Sequence, residues 1–211
     1  SFELLDVAEQ ELFTRLSVFS GGFTLDAMEA VAGELSQCDI SILDCVTQLV
    51  DKSLLTHMES QAEDKEPRLT MLETLREYAQ DKMVKDSHTW EQVQDRHASY
   101  FLRLVEEALS KLQGPQQVYW FHKLELEYDN LRAAMDWTYR VHQWEYTARL
   151  CIGLTRYWYL HGYPSEGRQW VSQILTQASN LSLEHQGRLL TSAGVLASAQ
   201  ADNVQGQQYF E

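Results

Sequence analysis

Cysteine and proline are scarce in this chain, with three of each among 211 residues. Cys38, Cys45 and Cys151 form no CxxC pair, and such spacing excludes a disulfide framework or a cysteine-based zinc site. No apolar run approaches the roughly 18 residues that a membrane-spanning helix needs. No basic segment leads into an apolar one at the start, so no signal peptide is expected. The sequence lacks G-x-x-x-x-G-K-[ST], G-x-G-x-x-G, H-E-x-x-H and G-x-S-x-G. Phosphate cradling, zinc proteolysis and serine-hydrolase chemistry therefore have no carrier among these residues, and no catalytic, cofactor or metal residue is expected.

Positive charge is scarce too. Seventeen basic residues face 31 acidic ones, a net charge of -14. Residues 1–85 carry 7 basic and 17 acidic side chains, whereas residues 141–211 carry 4 and 5. Sequence-independent affinity for DNA comes from Lys and Arg neutralising phosphates. The expectation from charge is that this chain makes no direct contact with nucleic acid.

What is present is ordinary globular composition, 44% hydrophobic and 23% charged, enough for one or two domains with real cores. The chain opens at Ser1 in sequence that already reads as folded, which suggests an excised fragment. Leu5, Ala8, Leu12 and Leu16 recur at helical spacing, with Phe19 closing the face, and Gly21-Gly22 stops the helix. Thr24 is placed to cap a second short helix carrying Ala27, Met28 and Val31. A third follows Asp39 or Ser41, with Ile42, Leu43, Val46, Leu49 and Val50 on one face. Residues 53–58 and 68–72 then alternate as a β-hairpin about a polar tip. Three helices and a hairpin are the layout of a winged helix. Helical period returns at Glu73, with Leu75, Tyr78, Ala79 and Met83 inward.

The remainder reads as helix throughout. Trp90, Val93, His97, Phe101, Leu104, Ala108 and Leu112 form one stripe, broken at Gly114-Pro115. Phe121, Leu124, Tyr128, Leu131, Met135 and Thr138 form a second. Residues 146–161 and 164–178 make a helical pair, and 184–200 with 203 onward begin another, Gly167 matching Gly206 and Trp170 matching Tyr209. Paired helices with a fixed period imply a solenoid. The fold expected is mainly α: a winged helix over 1–85, a linking helical pair over 86–143, and tetratricopeptide-like antiparallel pairs over 144–211.

Candidate chemistry is sparse. The seven histidines show no metal-ligand spacing, and His97 sits on an apolar stripe as a core residue. Glu73 and Glu77 share a helix face beside Arg76, which reads as a solvated or interdomain ion pair in preference to an acid–base pair. Tyr157, Trp158, Tyr159, Tyr163 and Trp170 are dense enough to line a concave ligand or partner surface, or else to pack between helices.

Five stretches, Leu16-Ser17-Val18-Phe19-Ser20-Gly21-Gly22-Phe23-Thr24-Leu25, Leu49-Val50-Asp51-Lys52-Ser53-Leu54-Leu55, Arg68-Leu69-Thr70-Met71-Leu72-Glu73-Thr74-Leu75-Arg76-Glu77-Tyr78-Ala79, Glu127-Tyr128-Asp129-Asn130-Leu131-Arg132-Ala133-Ala134 and Gly162-Tyr163-Pro164-Ser165-Glu166-Gly167-Arg168-Gln169-Trp170, fall in one order. Together they resemble the region that follows the ATPase module in bacterial signal-transduction ATPases with numerous domains. That group includes large LuxR-type regulators and NB-ARC-like ATPases, and the resemblance covers nearly the whole chain. It implies a nucleotide-binding module upstream that carries ATP or ADP, and a winged helix packing on that module as a regulatory lid. It also implies helical repeats that sense an inducer or protein, with output elsewhere on the polypeptide. Met71-Leu72-Glu73 stands where relatives carry Met-His-Asp, so Met71, Leu72, Glu73, Arg76 and Glu77 form the implied interdomain seam. On this reading the chain is a cytoplasmic, non-catalytic regulatory and interaction fragment that contacts neither membrane nor nucleic acid. The alternative is a DNA-binding winged-helix transcription factor with a helical ligand-sensing domain. Its third helix would then enter the major groove with Ser41, Asp44, Thr47, Gln48 and Asp51 outward.

Overall fold

A computed structural model describes residues 2–35, 41–58 and 66–202. Cys38, the hairpin tip at 59–65, and Gly206, Tyr209 and Phe210 of the expected second pair lie outside the described residues. The chain forms two compact units, residues 1–100 and 101–211. The division falls inside one helix, where the sequence reading places boundaries at 85 and 143.

The first unit is a winged helix. Helix α1 (Val7–Leu16) opens on a capping box in which the Asp6 carboxylate accepts from the Glu9 amide at 2.8 Å. The Glu9 carboxylate in turn accepts from the Asp6 amide at 2.8 Å. Such a cap satisfies two otherwise orphaned donors and is worth about 1 kcal/mol. The second Glu9 oxygen pairs with the Lys52 ammonium, so one buried carboxylate ties the start of α1 to the residue that ends α3. Strand β1 (Gly22–Thr24) leads into α2 (Leu25–Ala32), capped by Thr24 as the sequence indicates. Helix α3 (Ile42–Asp51) is capped by Ser41.

Strands β2 (Thr56–His57) and β3 (Arg68–Thr70) form the wing, and β3 lies between β1 and β2 in an antiparallel sheet. Phe23 faces Leu69 across the first pair, and His57 faces Leu69 across the second. The buried Arg68 guanidinium donates to the Gly22 carbonyl at 2.9 Å, stitching the wing to β1. Phe13, Leu16, Phe19, Phe23, Met28, Leu49 and Leu55 are essentially inaccessible, and the Phe19 and Phe23 rings stack at 4.6 Å. Each such side chain contributes about 1.5–3 kcal/mol on burial.

Three details differ from the sequence reading. Helix α1 stops at Leu16, short of the glycines, and Gly21 (φ 90°) serves instead as the left-handed hinge into the unforeseen β1. In α4 (Glu73–Met83), Ala79 and Met83 are buried but Tyr78 is 40% exposed. The stripe from Phe121 to Thr138 is two helices, α6 (Gln117–Leu126) and α7 (Tyr128–Arg140), divided at Glu127.

Helix α5 (Ser87–Lys111) runs through the division between the units. Its Val93, His97, Phe101, Ala108 and Leu112 stripe is buried as the spacing predicts, and the His97 ring meets Phe19 edge-on at 5.4 Å. In the second unit, α7 packs on α8 (Trp144–Leu160), and α8, α9 (Pro164–Leu175) and α10 (Leu183–Ala199) pack on one another. Gly162, at φ 83°, makes the turn between α8 and α9, and Pro164 starts α9 where its missing N–H costs nothing.

Candidate functional site

Helix α3 is the natural reader in a helix-turn-helix, and its surface follows from its period. Cys45, Val46 and Leu49 face the core, whereas Ser41, Leu43, Asp44, Thr47 and Asp51 are exposed and Gln48 is half-buried. The Ser41 hydroxyl both accepts from the Asp44 amide at 3.2 Å and donates to the Asp44 carboxylate at 3.0 Å. Asp44 is thereby held over the first turn, where the helix dipole favours a negative charge. Beside α3 lies a groove of about 340 Å³ whose lining includes Leu43, Val46, Val50, His57, Pro67 and Leu69.

The cations of this unit are largely committed. Arg15 donates to the Glu34 and Ala32 carbonyls and pairs with Glu11, and burial lowers its pKa. Lys52 is paired with Glu9, Arg76 with Glu73, and Arg68 with the Gly22 carbonyl. Lys82 lies 5.1 Å from the Tyr78 ring centroid. Charge that is spent internally is not available to phosphates.

The expected seam divides on inspection. Met71 is buried, while Leu72 is 59% exposed just ahead of α4. Glu73 and Arg76 form a surface pair, Nε to Oε2 2.9 Å, and that hydrogen bond lowers the Glu73 pKa and raises that of Arg76. Glu77 is exposed one turn on.

The ligand or partner surface offered for the aromatic cluster loses Tyr157 and Trp158 to the other reading, packing between helices. Tyr157 and Trp158 are fully buried, so they cannot line a ligand surface. The Trp158 indole donates to the Tyr128 hydroxyl at 2.7 Å, and the Tyr157 hydroxyl donates to Glu125. Tyr128 stacks on Tyr163 at 5.1 Å and lies 4.5 Å beneath the Arg132 guanidinium. Arg132 is bidentate to Glu166 at 2.7 and 2.5 Å. Burial raises the pKa of both tyrosines, so they remain neutral donors and acceptors. The fourth and fifth sequence stretches thus interlock α7, α8 and α9. Tyr163 and Trp170 are half-buried, and Trp170 borders an open polar cleft of about 640 Å³ with Arg132, Asp136, Tyr139 and Glu166.

Sequence reasoning missed another cavity of about 420 Å³, bordered by Arg156 of α8 and Arg188 of α10. Its only trace in the sequence is a charged residue set between buried positions of α8. Among the described residues no group of three or more His, Cys, Asp or Glu could hold a metal ion, and no helix is long and apolar enough to cross a membrane.

Residues 5–83 match the family model for a winged helix-turn-helix domain. Over 202 residues, 96% of its length, the chain is 34% identical to proteins of Mycobacterium bovis and of two Mycobacterium tuberculosis strains, each named "Putative HTH-type transcriptional regulator". It spans 22% of their length. No solved structure matches. The chain therefore contains a winged helix-turn-helix domain and is homologous to proteins named as transcriptional regulators. These two findings point to DNA binding and overturn the charge-based expectation of no direct contact with nucleic acid. Net charge misled because it sums every side chain, whereas base readout uses the few on one helix face.

Proposed function

We propose that this chain is the winged helix-turn-helix and adjoining helical segment of a cytoplasmic transcriptional regulator, with α3 reading the major groove and the helices after α5 sensing a ligand. The observation that carries the reading is the exposed row Leu43, Asp44, Thr47 and Asp51 on a capped α3 inside the matched domain. Its chemistry suits base edges. Carboxylates accept from cytosine N4, a threonine hydroxyl serves either base, and an apolar side chain meets the thymine methyl. The same carboxylates weaken phosphate attraction, so specificity exceeds raw affinity. The described cations of the first unit are largely committed within it, so we expect few phosphate contacts; two or three would give a shallow salt slope, roughly 2 to 3 at about 0.9 per contact.

Selection of bound duplexes from a random pool at low salt tests this. The expected result is an enriched motif containing cytosine whose preference shifts with Asp44→Asn and with Thr47→Ala. Failure of any sequence to enrich, or enrichment indifferent to both substitutions, would refute it.

A second role in the longer protein is favoured by Leu72, a large apolar side chain 59% exposed beside the Glu73–Arg76 pair. On this proposal the start of α4 packs against a nucleotide-binding module that holds ATP or ADP, and the chain itself catalyses nothing. Leu72→Glu should then break nucleotide-dependent regulation in the full-length regulator. Unchanged regulation would remove this role and leave the DNA reading intact.

A further inference from the structure

The cavity between α8 and α10 runs against the charge of the molecule. The chain has 31 acidic and 17 basic residues, yet among the described residues this cavity is bordered by two arginines and no carboxylate. Three other arginines of the second unit are spent on acids: Arg132 on Glu166, Arg149 on Glu106, and Arg168 on Asp202. Arg156 is not. Its Nε–H is buried without a hydrogen-bond partner, and it pairs with no carboxylate among the described residues. Among the described residues the Arg188 guanidinium has only Glu184 at 3.7 Å, an exposed pair one turn away that is too long for a hydrogen bond.

The walls are fixed by the protein itself. The Thr155 hydroxyl donates to that of Ser192 at 2.8 Å, joining α8 to α10, and the Ser192 hydroxyl donates to the Arg188 carbonyl at 3.0 Å. Leu109, Ile152 and Val195 supply an apolar floor. A guanidinium offers a planar fork of donors matched to a carboxylate, and an apolar floor matches a hydrocarbon body. The volume of about 420 Å³ lies in the range of small-molecule sites.

We infer that this cavity binds a small organic carboxylate with an apolar body, its carboxylate between Arg156 and Arg188. The inference deepens the ligand-sensing half of the proposed function and does not depend on DNA recognition.

Isothermal titration of the chain without DNA tests it, with octanoate as ligand, octanol as its neutral counterpart and inorganic phosphate as a bare anion. Octanoate should bind at least tenfold more tightly than either. Arg156→Gln and Arg188→Gln should each weaken octanoate about tenfold, while Arg132→Gln, which breaks a pair outside the cavity, leaves it unchanged. Circular dichroism and a retained melting temperature identify folded variants, and Arg156→Lys gives a second folded test in which the fork is lost but the charge kept. Equal binding of octanol, phosphate as tight as octanoate, or full affinity in folded Arg156→Gln each overturns the inference. If octanoate binds as expected but no duplex is selected, the DNA reading fails and this one stands.

Discussion

Gly167 and Gly187 both lie inside helices, yet alanine should act on them in opposite directions. A Cβ at Gly167 would fall 2.6 and 2.8 Å from ring atoms of Trp158 and 3.0 Å from Leu196. Trp158 cannot swing aside, because it is fully buried and its indole is anchored to the Tyr128 hydroxyl at 2.7 Å. Alanine gains about 0.5–1 kcal/mol of helix propensity over glycine, but overpacking a fixed core costs about 1–3 kcal/mol. The clash wins, and Gly167→Ala should destabilise the second unit by about 1–2 kcal/mol. A Cβ at Gly187 meets nothing within 4 Å, so Gly187→Ala keeps the whole gain and stabilises by about 0.5–1 kcal/mol. Urea unfolding followed by tryptophan fluorescence measures both, since five of the six tryptophans (residues 120, 137, 144, 158 and 170) lie in the second unit. Midpoints moving apart support the close approach of α9 to α8. If both variants are stabilised equally, the packing around Gly167 is not as described.

Other perturbations probe the same scaffold. Trp158→Phe leaves the buried Tyr128 hydroxyl without its donor and should cost about 1–3 kcal/mol. Adding Tyr128→Phe should recover part of that loss, and a double-mutant cycle in urea shows whether the two are coupled. Desolvation pushes Glu145 up, but the Ser182 amide at 2.6 Å and the His185 ring hold its pKa below the ordinary value. A carboxylate depressed in the folded state contributes stability above its unfolded pKa and loses it as pH falls through the folded one. Stability should therefore decline below about pH 4.5, and Glu145→Gln should flatten that part of the profile in a pH series of melts. Burial raises the Cys151 thiol well above its ordinary value, so a thiol reagent should label it only after unfolding.

Local signals were the legible ones. Thr24 and Ser41 cap the helices they precede, and Pro164 and Gly162 mark the α8–α9 turn, because each acts through its own backbone neighbourhood. The break at Glu127 was invisible because Phe121, Leu124, Tyr128 and Leu131 keep helical spacing across it. Strand β1 was invisible because three residues that begin at the second glycine of a pair carry no period; only pairing with β3, some 46 residues on, makes Gly22–Thr24 a strand. For Tyr157 and Trp158 the sequence leaves surface and packing both open, because aromatic density does not tell a groove from a core; their burial and their hydrogen bonds to Glu125 and Tyr128 decide for packing. Arg156 and Arg188 come to border one cavity through the packing of α8 on α10. The charge of residues 1–85 could be counted but not assigned, since Arg15, Lys52, Arg68 and Arg76 are committed within the fold.

The most direct measurement compares affinities for the selected duplex and a scrambled one across a salt series, for the wild-type chain and for Asp44→Ala/Thr47→Ala. Reading by α3 predicts that the wild type prefers its site by about 10³ or more, with a salt slope of roughly 2 to 3. The double variant should keep that slope and lose the preference. Equal affinity of the wild type for both duplexes at every salt concentration, or a preference that survives in the variant, would contradict recognition by α3.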